Sequence, residues 1–217
     1  MKRSTHRILT THAGSLPRPA ELLSLISAQE AGKPVDAAKL DTEVRSAVKK
    51  IVAKQADLGV DVLNDGEQSK PSYATYVKDR LSVHVCWGNW EIPRKNDVAL
   101  RDIIDVVLRA KPAGIMLMAS NGRHAHEWKV FEEVKLPEGK YLIPGVLDTT
   151  TNIIEHPEVV AQRLALYAGV VGKENVMAGT DCGFGTGAGM QRVVPSVVWA
   201  KLQAMAEGAA LASKELW

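Results

Sequence analysis

The sequence predicts an α/β protein with a parallel sheet. Strand-like segments alternate with helical segments along the whole chain. Polar residues also gather at one end of strand after strand. Ser15, Asp65 with Glu67, His84 with Cys86, Asn121, Asp148, and Asp181 with Cys182 all fall at or near C-terminal strand ends. In (β/α) barrels and open α/β sheets, sites are built at that end. Six strand-like segments repeat the pattern independently, which makes it more informative than any one of them.

The elements follow in order. "ILTTHAGS" (8–15) reads as a short strand running into a Gly-Ser turn. "PAELLSLISAQEAG" reads as a helix, with Pro19 suited to its first turn and Gly32 to its stop. "DAAKLDTEVRSAVKKIVAKQADLG" is the clearest helix. Asp36 can cap it, Val44, Ala47, Val48, Ile51 and Val52 form its apolar stripe, and Gly59 ends it. "VDVLNDGE" is expected to be a buried strand with a polar end, and "VHVCWGN" is strand-like. "DVALRDIIDVVLRA" is helical, with Leu100, Ile103, Ile104, Val107 and Leu108 on one side. Then come a strand "GIMLMAS", a helix "HAHEWKVFEE", a strand "YLIPGVLD", and a helix from Pro157 to Gly172. A strand "NVMAGTDCGFG" and a helix "PSVVWAKLQAMAEGAALASKEL" close the chain.

With 217 residues, the chain is read as a single domain over 1–217. Its 46% hydrophobic and 24% charged residues suit a soluble globular protein. The net charge is only +2 and the basic residues are scattered, so nothing argues for nucleic acid or an anionic membrane as partner. "MKRSTHRILTTHAGS" lacks the apolar core of a secretory signal. No apolar run approaches the roughly 18 residues that a membrane span needs. Two cysteines make no disulfide framework, and a cytoplasmic, reducing location is expected.

Those two cysteines raise the chemical question. His84 and Cys86 are two apart on a strand, so their side chains share a face and can chelate one ion. Cys182, at another strand end, reaches the same point if the strands are neighbours. A His/Cys/Cys set suits zinc and leaves a position open for substrate. The plainer reading is that both cysteines are core thiols, since cysteine is a common small core residue. The glycine-rich loop after Cys182 speaks for a site. In "RHAHE", His124 and His126 could bind metal only in an extended segment; on a helix they diverge, and a polar helix start near a substrate pocket is the simpler reading. His156 is read as a helix-start residue.

The stretches "TTHAGSLPRP", "LGVDVLNDGEQSKPSYATY", "HVCWGNWE", "NGRHAHEW", "PGVLDTTTNIIEHPEVVAQRL" and "ENVMAGTDCGFGT" together resemble the cobalamin-independent methionine synthase family. The likeness is to the short forms that match the family's C-terminal catalytic barrel. It implies a (β/α)8 TIM-barrel fold. It also implies a zinc ion that activates the thiol of homocysteine for methylation by a methylated folate, giving methionine. Carried over by position, His84, Cys86 and Cys182 match zinc ligands. Ser15 and Glu67 match residues that hold the amino acid substrate, and Asp148 is assigned to substrate binding with them. Asp181, the polar neighbour of the last ligand, is the candidate catalytic residue. The chemistry is sound: a thiol near pKa 8.5 is mostly protonated at neutral pH, and zinc deprotonates it. The folate nitrogen then needs a proton to leave.

The sequence departs from the family in several places. Met118 stands where the family has a glutamate ligand, Gly122 where proline is usual, and Thr150 where many members have a catalytic histidine. The chain is also shorter than the short forms, and a middle segment is expected to be missing near Ser82–Val83. Barrels of this type take about 250 residues, with about 200 a lower limit. Six recognisable strands imply an incomplete barrel, and open sheet edges invite pairing into a homo-oligomer. Two other functions stay open. One is another thiol alkyl transfer in the same superfamily, and the other is a degenerate barrel that only binds a ligand or partner.

Overall fold

The computed structural model describes residues 3–70, 82–88, 90, 96–185 and 192–217. The quoted stretch "SYATY" and most of the glycine-rich stretch after Phe184 lie outside the described residues.

Among the described residues, five strands run parallel. They are β1 (Leu9–Thr10), β2 (Ser82–Val85), β3 (Gly114–Leu117), β4 (Tyr141–Pro144) and β5 (Met177–Ala178). β2, β3 and β4 form one ladder, with His84 opposite Met116 and Met116 opposite Ile143. β1 pairs with β5, Leu9 opposite Met177. Bridges at Leu142–Val176 and Gly145–Gly179 join the two pieces, so the spatial order is β2-β3-β4-β5-β1. The first strand of the chain thus lies beside the last, as a barrel requires.

The segment 60–67, expected as a strand, is not one. It still runs beside β1: the amides of Asp61 and Val62 both donate to the Thr10 carbonyl, at 3.2 and 3.0 Å. The Thr11 hydroxyl donates to the Val62 carbonyl at 3.0 Å. Two amides converging on one carbonyl interrupt the ladder, because a regular parallel strand spaces its bonds evenly. The Asp61 carboxylate adds to this by accepting from the Thr10 amide at 2.9 Å.

The α/β fold with parallel strands is as expected, and so is the absence of a complete (β/α)8 barrel among the described residues. Among the described residues the parallel strands form an arc, with no closed barrel. The arc ends at segment 60–67 on one side and at β2 on the other. In the sequence, the stretch 68–81 between them is shorter than the roughly 30 residues of one further strand–helix–strand unit.

The helices are α1 (Ala20–Glu30), α2 (Ala37–Asp57), α3 (Leu100–Leu108), α4 (Val130–Glu133), α5 (Pro157–Val171) and α6 (Pro195–Leu216). Asp36 caps α2, accepting from the amides of Ala38 and Lys39 at 2.9 and 3.1 Å. The expected helix "HAHEWKVFEE" is a chain of turns, a 3-10 turn (Glu127–Lys129) and the short α4. No helix of the described residues is long and apolar enough to cross a membrane.

Alternation along the strands builds two apolar layers. Ile115, Leu117, Leu142, Val176 and Ala178 face the helices, packing with Ile104, Leu164, Leu202 and Met205 among others. The opposite faces contribute a smaller concave cluster of Leu9, Ala13, Met116, Tyr141, Ile143 and Met177. α5 and α6 approach closely because Gly208 has no side chain; a Cβ there would lie 2.5 Å from Val160 Cβ. The concave face matters for function, since His84 pairs with Met116 and shares its side of the sheet.

Candidate metal centre

β2 presents His84 and leads into Cys86, two residues on and so on the same concave side. Cys182 follows β5 at the same, C-terminal end of the arc. The fold brings all three together. One ligand atom from each lies within 4.8 Å of the others, and this is the one such His/Cys/Asp/Glu group among the described residues. His84 Nε2 is 3.3 Å from Cys182 Sγ, and the two sulfurs are 3.7 Å apart.

These distances decide between the readings of the cysteines. A disulfide needs about 2.05 Å between sulfurs, so this pair is not one. A tetrahedral zinc has bonds of about 2.3 Å to sulfur and about 2.0–2.1 Å to nitrogen. That places its two sulfurs about 3.8 Å apart, and each sulfur about 3.6 Å from the nitrogen. The two edges at Cys182 therefore match a tetrahedral cation closely, and the third lies within 4.8 Å. His84 Nδ1 is buried without a partner among the described residues, so the ring holds no competing bond on its far side.

The thiols also act on one another. Cys182, and then His84, draw the Cys86 thiol down to about 4. The same pairing pushes the Cys182 thiol up. The pair gives up a first proton easily and holds the second. A bound divalent cation would make both thiolates.

Met118 follows β3 on this same concave side. Its amide donates to the Val85 carbonyl at 3.2 Å, which extends the ladder and sets residue 118 beside Cys86. It is buried, 2% exposed, and offers a thioether where a hard or anionic ligand would complete the set.

Ser15 is held against the Cys182 loop. Its hydroxyl donates to the Gly185 carbonyl and accepts from the Gly185 amide at 3.0 Å, and its carbonyl accepts from the Phe184 amide at 2.9 Å. Gly183 makes the approach feasible, since a Cβ there would lie 2.5 Å from the Ser15 nitrogen. Glu67 is 6% exposed and adopts φ +53, the single non-glycine residue with positive φ among the described residues. Backbone strain of this kind clusters at functional positions. Its amide bonds Asp65 and its carbonyl accepts from Arg18 at 2.7 Å, so the turn is fixed from both sides.

Asp148 closes a turn on Thr150, whose amide and hydroxyl both donate to Oδ1, at 2.7 and 2.6 Å. The Asp148 amide donates to Glu155, which pairs with the fully buried Lys201 at 2.8 Å. Asp181 is fully buried. Its Oδ1 accepts from the amides of Ala119 and Ser120 at 2.7 and 2.8 Å, and its Oδ2 from Asn121 at 2.8 Å. Burial pushes this carboxyl up to about 6 against those bonds, and the charge of Asp148 adds to the rise.

His124 and His126 do not join the metal group. His124 is buried between two carboxylates, Nδ1 3.0 Å from Glu127 and Nε2 3.2 Å from Asp97. His156 caps α5, accepting from the Glu158 amide at 3.2 Å. Sequence reasoning missed Asp97, and it missed the stacking of Trp87 on His124, with ring centres 4.0 Å apart and planes 18° from parallel. The one signal was that "CWGNW" set an aromatic directly after a ligand candidate.

No protein-family model and no curated protein matches the chain. Solved structures do. A B12-independent methionine synthase from Shewanella sp. W3-18-1, in complex with selenomethionine, is 16% identical with a TM-score of 0.70, covering 97% of this chain and 99% of that one. A putative vitamin-B12-independent methionine synthase from Listeria monocytogenes is 12% identical with a TM-score of 0.53, again over 97% and 99%. At these identities the likeness is one of fold. The chain shares its fold with B12-independent methionine synthases, the family that its sequence resembles.

Proposed function

We propose that this chain is a zinc-dependent methyltransferase that moves a methyl group from a methylated folate to the thiol of homocysteine, giving methionine. The observation that carries the reading is the His84–Cys86–Cys182 group, whose two edges at Cys182 suit a tetrahedral zinc with a position open for substrate. The Shewanella protein was solved with selenomethionine, an amino acid of the product's shape, in agreement with small-molecule substrates here.

Zinc bound by these three residues would supply the Lewis acidity that makes a substrate thiol nucleophilic at neutral pH. The chain's own residues do the rest. Ser15 and Glu67 lie on turns fixed by the Cys182 loop and by Arg18, so each can hold the amino acid end of the substrate in a set place. Asp148 is fixed in place by Thr150 and the buried Glu155–Lys201 pair. In the transfer an S–CH3 bond forms and an N–CH3 bond breaks, and the leaving nitrogen takes a proton. Asp181 has both oxygens committed to backbone amides, so its part here is to hold residues 119–121 in place.

A second reading has its own support. Met118 replaces a ligand, and the arc has no closing strands among the described residues. Both favour a barrel remnant that binds a ligand, or pairs with a second copy, without turnover.

The test is zinc per chain in protein purified without added metal, beside Cys182→Ser, followed by methyl transfer from methylfolate to homocysteine. Near one zinc in the parent, much less in the variant, and turnover in the parent are expected. A folded parent without zinc would overturn the metalloenzyme reading. Zinc without turnover would favour the binding remnant or another thiol acceptor.

A further inference from the structure

Cys86 and Cys182 are joined by a second route, made of side chains outside the metal group. Beginning beside Cys182, Asp181 Oδ2 accepts from the Asn121 amide at 2.8 Å. Asn121 Oδ1 accepts from the Arg123 amide and Nε, at 3.1 and 3.3 Å. The Arg123 guanidinium donates to Asp97, whose same oxygen lies 3.2 Å from His124 Nε2. His124 stacks on Trp87, the residue directly after Cys86. Each link is short; His124 and Asp181 are buried and the other groups are partly so, and networks of this kind hold shape where water is excluded.

The ends of this route are anchored independently. His124 Nδ1 meets Glu127, whose other oxygen accepts from the Leu100 amide at 2.7 Å, at the start of α3. The Trp87 indole N–H donates to the Val98 carbonyl at 2.5 Å, one residue from Asp97. The Trp87 ring is therefore held flat against His124 and by its edge, and cannot rotate without breaking both contacts. β2, which carries His84 and leads into Cys86, is only half-buried, unlike the fully buried β3 and β4, so contacts beyond its ladder with β3 and the packing of Val83 and Val85 matter more to its placement.

We infer that the tie Asp181–Asn121–Arg123–Asp97–His124–Trp87 sets the separation of Cys86 and Cys182, which makes Trp87, His124 and Asp97 positioning residues of the metal centre. The inference rests on the zinc reading of the preceding section. It assigns the "RHAHE" segment a role that is neither ligand nor mere helix start. It also accounts for a tryptophan in the Cys86 loop, whose flat face is what a stacked imidazole requires.

The experiment compares parent, Trp87→Ala, Trp87→Phe and Asp97→Asn. Zinc affinity is read by competition with a chromophoric chelator, ligand geometry by the visible spectrum of the cobalt-loaded protein, and folding by thermal melting of the metal-free forms. Removing a residue that orients metal ligands costs about 10–100-fold in affinity. That loss, with altered cobalt bands, is expected for Trp87→Ala and Asp97→Asn, while Trp87→Phe, which keeps the stack but gives up the Val98 bond, loses clearly less than Trp87→Ala. Asp97→Asn changes almost no volume, so it decides the matter if Trp87→Ala does not fold. Parent-like zinc affinity and cobalt bands in Asp97→Asn and any folded Trp87→Ala, with only melting lowered, would overturn the tie and leave the zinc reading standing. Trp87→Phe as weak as Trp87→Ala would overturn it too. A folded parent that binds no zinc would remove both.

Discussion

Gly145 lies so close to Asp181 that a Cβ on it would sit 2.2 Å from Oδ1 and 2.6 Å from the Asp181 backbone nitrogen and Cα. The contact follows from the Gly145–Gly179 bridge between the ends of β4 and β5. Rotating the Asp181 side chain would relieve only part of it, because the backbone, at 2.6 Å, is also too close. Gly145→Ala should therefore displace Asp181 from the amides of Ala119, Ser120 and Asn121. Overpacking alone costs about 1–3 kcal/mol, and lost bonds to a charged group about 1.5–3 kcal/mol each. Urea unfolding of Gly145→Ala should show a midpoint well below the parent's. An unchanged midpoint would mean that the strand ends have room to part.

His12 gives the fold a pH dependence of known sign. Burial lowers its pKa below the ordinary 6.5, against the Ala13 carbonyl, Gln55 and the charge of Asp65. Above 6.5 neither folded nor unfolded chain carries the proton, and the contribution to stability is complete. As pH falls from 6.5 towards the lowered folded value, the unfolded chain takes a proton that the folded chain refuses, and stability declines. The slope from this one group is at most about 1.4 kcal/mol per pH unit. His12→Gln should flatten part of the fall in unfolding free energy between pH 7.5 and 5.5. Parallel curves for parent and variant would show that His12 is protonated as readily when folded.

The parallel α/β order was legible because glycine and proline mark the element ends and because apolar stripes set the helix faces. α2, capped by Asp36, and α5, opened by Pro157, fall where those signals put them. The segment 60–67 was not legible as an irregular strand. Its apolar run is genuine, but the Asp61 carboxylate and the doubly used Thr10 carbonyl are tertiary facts. The spacing of His84 and Cys86 fixed their shared face. Cys182 could join them only through β5 lying near that face, which no local pattern states. The Asp181 carboxylate marked the loop beside the last ligand, but its three amide partners come from a segment about 60 residues away. A charged residue at a strand end reads as chemistry in a sequence whether it touches substrate or staples a loop.

Met118 offers the sharpest test of how the metal group is completed. The ladder sets it beside Cys86 on the concave side, 2% exposed, in the position where the family resemblance expects a carboxylate. Met118→Glu would bury an unpaired carboxylate in the metal-free protein, a change of the kind that costs about 3–5 kcal/mol. With zinc present, the same carboxylate gains a cation as partner. The variant should therefore melt well below the parent in chelator and regain most of the loss when zinc is added. Zinc should raise its melting temperature more than the parent's, since a ligand stabilises the folded state in proportion to the logarithm of its affinity. Equal stabilisation of both proteins by zinc would mean that residue 118 does not reach the cation, and that the fourth position belongs to substrate or solvent.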